Sequence, residues 1–222
     1  MSLKPEVRYG VATVTEVRAL LSIAEEGTGK LRAEPVSSPA MEGRTGRYPR
    51  AMRVLHWLMA AIIIVLLIAG ITMVRLDDQV PAKFQVLFPW HKSFGLLAFI
   101  LVMIRLWVRA RSRVPALPDG ISGWERKAVR AGSFLFYALM IFVPCMGYAL
   151  SSTYTQSDGE FFFGVNLPEL LPKNDAQYEV FWLLHRIGAF VLLGLLGLHI
   201  LGALKHRFLD RNRANDVLSR MT

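Results

Sequence analysis

Four stretches of roughly twenty almost uncharged residues constrain this chain more than any other feature. They cover residues 54–74, 88–108, 130–151 and 180–204. A helix rises about 1.5 Å per residue, so each can cross the roughly 30 Å of hydrocarbon in a bilayer. Backbone polar groups have no water to bond to in lipid, so each stretch is expected to be helical. An outer-membrane barrel would instead need alternating strands of about ten residues, a pattern absent here. Composition agrees: 53% of residues are hydrophobic and 19% charged, too apolar for a soluble domain of this size. The expected fold class is an all-α membrane protein, a bundle of four transmembrane helices in one domain spanning residues 47–222.

The basic residues give an orientation. Nine Lys and Arg precede the first stretch, seven lie between Arg105 and Arg130, and five follow the fourth. The other two connections hold Arg75, Lys83, Lys92, Lys173 and Arg186 beside seven acidic residues. Basic residues collect on the cytoplasmic side, so both termini are expected there. The net charge of +9 is then mostly a topology signal, with some attraction to anionic lipid. No nucleic-acid partner is implied, because the basic residues flank membrane spans and form no binding motif.

Residues 1–46 are polar and mixed in charge. "TGKLRAEPVSSPAMEGRTG" reads as a flexible linker and residues 11–26 as a short helix without a strong apolar face. The first apolar stretch begins too late and runs too long for a signal peptide. The segment is expected to be a disordered cytoplasmic extension, or an overlong start, and not a domain. The longest outward connection, residues 152–179, contains "GEFFFGVNLPELLP" and suggests a cap on the outer interface. The single cysteine, Cys145, excludes an internal disulfide and any cysteine-based zinc or iron–sulfur site, and a packing role is expected for it.

Against this background the histidines stand out. His185 and His199 share the fourth stretch, about four helical turns apart. At about 100° and 1.5 Å per residue they lie within roughly 40° of one another and about 21 Å apart. His91 opens the second helix level with His185, and His56 lies inside the first helix level with His199. All four have Gly or Ala at the fourth following position, on the same helical face, and Gly188 and Gly202 stand at the third position after their histidines. Facing imidazoles with small neighbours suit a six-coordinate b-type haem, with one nitrogen on each side of the iron. Metal ligation is therefore expected of His56, His91, His185 and His199, in two haems b at two depths. A histidine in a span can instead be a hydrogen-bonded packing residue, but ionisable groups within membranes default to function. Zinc would want a tighter ligand cluster.

The segments "VLHW", "WHKSFG", "LLHRIGA" and "LGLHILGALKHRFLDR" resemble the four-helix, two-haem cytochrome b561 family of bacterial inner membranes, from about residue 47 to 221. The resemblance implies ligands from the first, second and fourth helices, with His56 and His199 at the inner haem and His91 and His185 at the outer. It also implies transmembrane electron transfer, in one characterised type from superoxide outside to ubiquinone inside. Val54 has no hydroxyl where that type has a serine.

Further residues are expected around the cofactors. Arg53, Lys92, Gly95, Arg105, Arg186, Gly188 and Gly202 are candidates for cofactor binding. Arg105 lies as far beyond His91 as His199 lies beyond His185, and so reaches the inner level, to pair with a haem propionate or to snorkel to headgroups. Lys92 and Arg186 adjoin the outer ligands and serve to steer an anion, to neutralise propionates or to mark the interface. His206, two turns beyond His199, falls about 10 Å further toward the cytoplasm and is the candidate proton donor to a quinone, or else an interfacial histidine. Three readings stay open: a quinone-reducing oxidoreductase with superoxide or another small donor, an electron-transfer subunit serving a periplasmic partner or a dehydrogenase, and a non-redox helical protein. The oligomeric state is not legible.

Overall fold

The computed structural model describes residues 46–118, 120–157, 159–210 and 215–222, so the expected helix at 11–26 and the linker after it lie outside the described residues. Four long helices dominate: α1 (Arg50–Arg75), α2 (Phe88–Arg111), α3 (Gly123–Thr153) and α4 (Asp175–Leu204). Each is long and apolar enough to cross a membrane, and each outruns the apolar stretch that announced it. The added turns are polar, which is why hydropathy alone missed them. α3 starts before Arg130 because the Ser122 backbone N–H and hydroxyl both donate to the Glu125 carboxylate, at 3.0 and 2.7 Å. α4 starts at Asp175 because the Asn174 side chain accepts from the Gln177 N–H at 3.1 Å. A π-helical turn, Lys83–Leu87, leads into α2, and a second, Lys205–Leu209, continues α4.

α3 packs along α4, α1 along α2, and α2 along α3. Met59 and Ile62 of α1 meet Ala98, Leu101 and Val102 of α2, and Tyr137, Met140 and Ile141 of α3 close over them. The outward surface is apolar as well, with Phe134 76% and Leu198 69% exposed. Large apolar side chains pointing outward along whole helices suit a surface covered by lipid. Cys145 also points outward, so the packing role expected of it within the bundle does not hold. Two residues earlier, the Val143 carbonyl of the same helix meets α4 at His185.

The two ends of the bundle differ. At the terminal end the final residues fold back on α1: the Tyr48 N–H donates to the Arg220 carbonyl at 3.0 Å and the Trp57 indole to that of Met221 at 2.8 Å. The Arg220 guanidinium donates to the Ala116 carbonyl at 2.6 Å, tying in the connection between α2 and α3. At the opposite end the expected cap is a β-hairpin, β1 (Glu160–Phe162) with β2 (Val165–Leu167), an addition to the all-helical expectation. Phe163 and Gly164 turn it with φ of 47° and 92°, the double positive-φ turn that matches strand twist. The Phe163 N–H donates to the Ser93 hydroxyl at 3.1 Å, which seats the hairpin on the first turns of α2.

Candidate functional site

The bundle brings the four span histidines together as two pairs. His91 of α2 faces His185 of α4 toward the hairpin end, with ring centroids 6.2 Å apart and planes at 76°. His56 of α1 faces His199 of α4 toward the terminal end, at 6.1 Å and 62°. A metal–nitrogen bond is about 2 Å and a ring centre lies about 1 Å further on, so two imidazoles on opposite sides of one metal have centroids about 6 Å apart. No group of three His, Cys, Asp or Glu side chains is placed to hold a metal among the described residues. Each pair therefore suits a metal whose remaining ligands come with it, and a tetrapyrrole supplies four.

The surroundings support that fit for the hairpin-end pair. A carbonyl oxygen only accepts, so His185 Nδ1–H donates to the Val143 carbonyl at 2.9 Å and its Nε2 keeps a lone pair. Val143 precedes Pro144, and the bond joins α3 to the ring face of α4. His91 Nδ1 is buried with no hydrogen-bond partner among the described residues. Two glycines make room for these rings. A Cβ on Gly147 of α3 would lie 3.1 Å from His185 Cε1 and Nδ1, and one on Gly70 of α1 would lie 3.6 Å from His91 Cε1.

The terminal-end pair is more open and carries a cation. Arg105 Nη2 lies 3.3 Å from His56 Nδ1, and its Nε donates to the Tyr137 hydroxyl at 3.2 Å. The expected meeting of Arg105 with the His56 and His199 level is thus present in the geometry. The Phe136 ring meets His199 edge-on at 5.2 Å, and Trp57 meets His56 likewise at 5.3 Å.

The other candidates fall in varied places. An added Cβ on Gly95 or Gly202 would meet nothing within 4 Å, so both leave open space. Gly188 is instead buried in the seam with α3, where a Cβ would come 3.0 Å from Val143 and 3.3 Å from Phe142. Lys92 Nζ donates to the Gly159 carbonyl at 2.9 Å, and the Arg186 guanidinium lies 5.1 Å from the Trp182 ring centre. Arg53 donates to the Thr222 carbonyl at 2.6 Å, which commits it to the returning C-terminal segment. His206 is buried in the second π-helical turn with Nδ1 2.9 Å from Asp210 Oδ2. The hydrogen bonds of His206 and then of Asn215 hold the Asp210 carboxyl below the usual carboxylate range. Glu125 is ion-paired with Lys205, and Asp216 with Arg207.

The family model for prokaryotic cytochrome b561 matches residues 47–222. The chain belongs to that family. It is 32% identical to "Cytochrome b561 homolog 2" of Escherichia coli (strain K12) over 79% of this chain and 90% of the relative. It is 25% identical to "Probable superoxide oxidase CybB" of Yersinia pestis, over 69% of this chain and 85% of that one. A cytochrome b561 is a b-type cytochrome of electron transfer, a four-helix bundle in a bacterial membrane that binds haem b, which agrees with the four spans here.

Several features of this cytochrome escaped the sequence. Gly70 was within reach, since it lies as far beyond His56 as Arg105 lies beyond His91, and the same step marks both. Gly147 and the Val143 carbonyl were not, because α3 has no histidine and their positions depend on how it crosses α4.

Proposed function

We propose that this cytochrome holds two haems b, one between His91 and His185 and one between His56 and His199, and moves electrons from a donor at the outer face to a membrane quinone at the inner face. The observation that carries the reading is the pair of facing imidazoles at 6.2 and 6.1 Å, set at two levels of one helix. Haem b, when bound, supplies a one-electron carrier. The positive-inside rule puts the terminal end in the cytoplasm and the hairpin outside.

The chain's own residues do the rest. The Val143 carbonyl fixes the tautomer and tilt of His185, and Gly147 and Gly70 keep space for the outer pair. Arg105 offers guanidinium donors to a propionate at the inner pair, where an unpaired arginine is costly. Lys92 and Arg186 make the outer ligand level positive, Gly95 and Gly202 leave room beside the ligand helices, Gly188 lets α3 approach His185, and Arg53 braces the inner end. His206, held by Asp210, is the proton donor to the reduced quinone, with ubiquinone as the substrate. A small anionic donor such as superoxide fits the positive outer level and the name of the Yersinia pestis relative.

Haem content and optical redox titration of single variants test the ligand set. His91→Ala or His185→Ala should remove one haem and spare the other, and His56→Ala or His199→Ala should do the reverse. Equal loss of both from every folded single variant would overturn the assignment. Stopped-flow mixing with superoxide then tests the donor: no reduction on the millisecond scale, in protein that dithionite reduces fully, points to a separate donor protein.

A further inference from the structure

A cleft of about 400 Å³ opens at the terminal end between the last turn of α2 and the first turns of α3. Arg109 and Arg130 line it from different helices, beside Ser133 and Tyr137. Val129 and Phe134 form an apolar wall that faces away from the bundle, 40% and 76% exposed. Among the described residues no acidic side chain lines the cleft and neither arginine enters an ion pair. Arg109 lies over the Tyr137 ring at 6.0 Å.

This combination selects a ligand chemistry. Two guanidinium groups with no carboxylate among the described lining residues, at the edge of the hydrocarbon, call for an anion, and the guanidinium fork matches phosphate oxygens. Arg130 stands about 10 Å along α3 from its start, near where headgroups give way to acyl chains. The apolar wall continues from the cleft onto the lipid-facing surface, which suits a hydrocarbon tail and offers nothing to a free ion. A quinone ring is uncharged and leaves both arginines uncompensated. We infer that the cleft binds the phosphodiester headgroup of an anionic phospholipid, with an acyl chain lying along Phe134 and Val129. Tyr137 also takes the Arg105 bond, so the lipid site and the His56 pair share one side chain.

Native mass spectrometry of the full-length protein, released from nanodiscs of mixed phosphatidylglycerol and phosphatidylcholine, tests this without reference to redox activity. The expected result is one phosphatidylglycerol retained in preference to phosphatidylcholine, with retention at least tenfold weaker in Arg109→Gln/Arg130→Gln. Equal retention by that variant, or phosphatidylcholine held as well as phosphatidylglycerol, would overturn the site. Displacement of the lipid by millimolar inorganic phosphate makes it a free-anion site, and displacement by a short-chain quinone makes it a quinone site; either result overturns the inference. If the double variant does not fold, thermal unfolding of the unaltered protein decides: no greater stability in phosphatidylglycerol than in phosphatidylcholine nanodiscs refutes the proposal.

Discussion

Replacing Gly147 with valine probes how closely α3 sits on His185. A Cβ at this position would lie 3.1 Å from both Cε1 and Nδ1 of the ring, against an ordinary carbon contact of about 3.5–4.0 Å. Valine adds two methyl groups beyond that Cβ and is stiff about χ1 in a helix, so it cannot swing clear. Either the imidazole or α3 must shift, and both lengthen the 2.9 Å bond from His185 Nδ1 to the Val143 carbonyl. Losing that bond costs about 1 kcal/mol. Disturbing the partner that orients a ligating histidine typically costs about 10–100-fold in affinity, or about 1.4–2.7 kcal/mol. The prediction is selective loss of the outer haem, read as a haem-to-protein ratio that falls toward half and as one component missing from the redox titration. Gly70→Ala is the internal control, because its Cβ would stand 3.6 Å from His91 and fits without movement. A Gly147→Val protein with full haem content and unchanged potentials would refute the reasoning, as would equal loss of both haems.

Arg105→Leu is predicted to lower the inner haem's potential, since a nearby positive charge favours the electron-richer state, and an unchanged titration would sink the claim. His206→Leu should keep both haems and their reduction by an outer donor yet slow delivery to ubiquinone; undiminished quinone turnover removes His206 from the proton path. Removing residues 1–42 should leave haem content and quinone reduction intact, and failed assembly on deletion would show that the extension docks on the bundle. The Asp210 carboxyl, held below its usual range by His206 and Asn215, contributes stability that is full above about pH 4 and lost as pH falls through its depressed pKa. Protection against amide exchange in residues 215–222, taken relative to the intrinsic rate at each pH, should fall only in that acid window, and protection that stays constant through it would show that Asp210 does not hold the segment.

The four spans were legible because lipid demands one-dimensional apolar length, and the pairing of histidine levels because a step along a helix converts directly into face and depth. Contacts between helices were not encoded this way. Gly188 reads as a small neighbour of His185 but packs on Phe142 and Val143, and only the crossing of α3 and α4 decides that. Arg53 stands just before His56 in the same helix, yet a carbonyl 169 positions away claims its guanidinium. The hairpin was hidden because Phe163 occupies a positive-φ turn position usually signalled by Asn or Asp before Gly. The outward face of Cys145 depends on which side of the Pro144 turn meets α4, and a lone residue type does not carry it.

The spacing of His185 and His199 also has an electrical consequence. Their separation of about 21 Å covers about 0.7 of the hydrocarbon thickness, and an elementary charge crossing the whole thickness exchanges about 2.3 kcal/mol per 100 mV. An electron passing from the outer level to the inner one, in a membrane negative inside, works against the field by about 1.6 kcal/mol per 100 mV. That shifts the equilibrium between the levels about 15-fold toward the outer one, unless the inner level has a potential higher by about 70 mV. On the proposed path, with a haem at each level and electrons moving inward, two histidines at different depths on one helix make the yield of transfer answer to the voltage across the membrane.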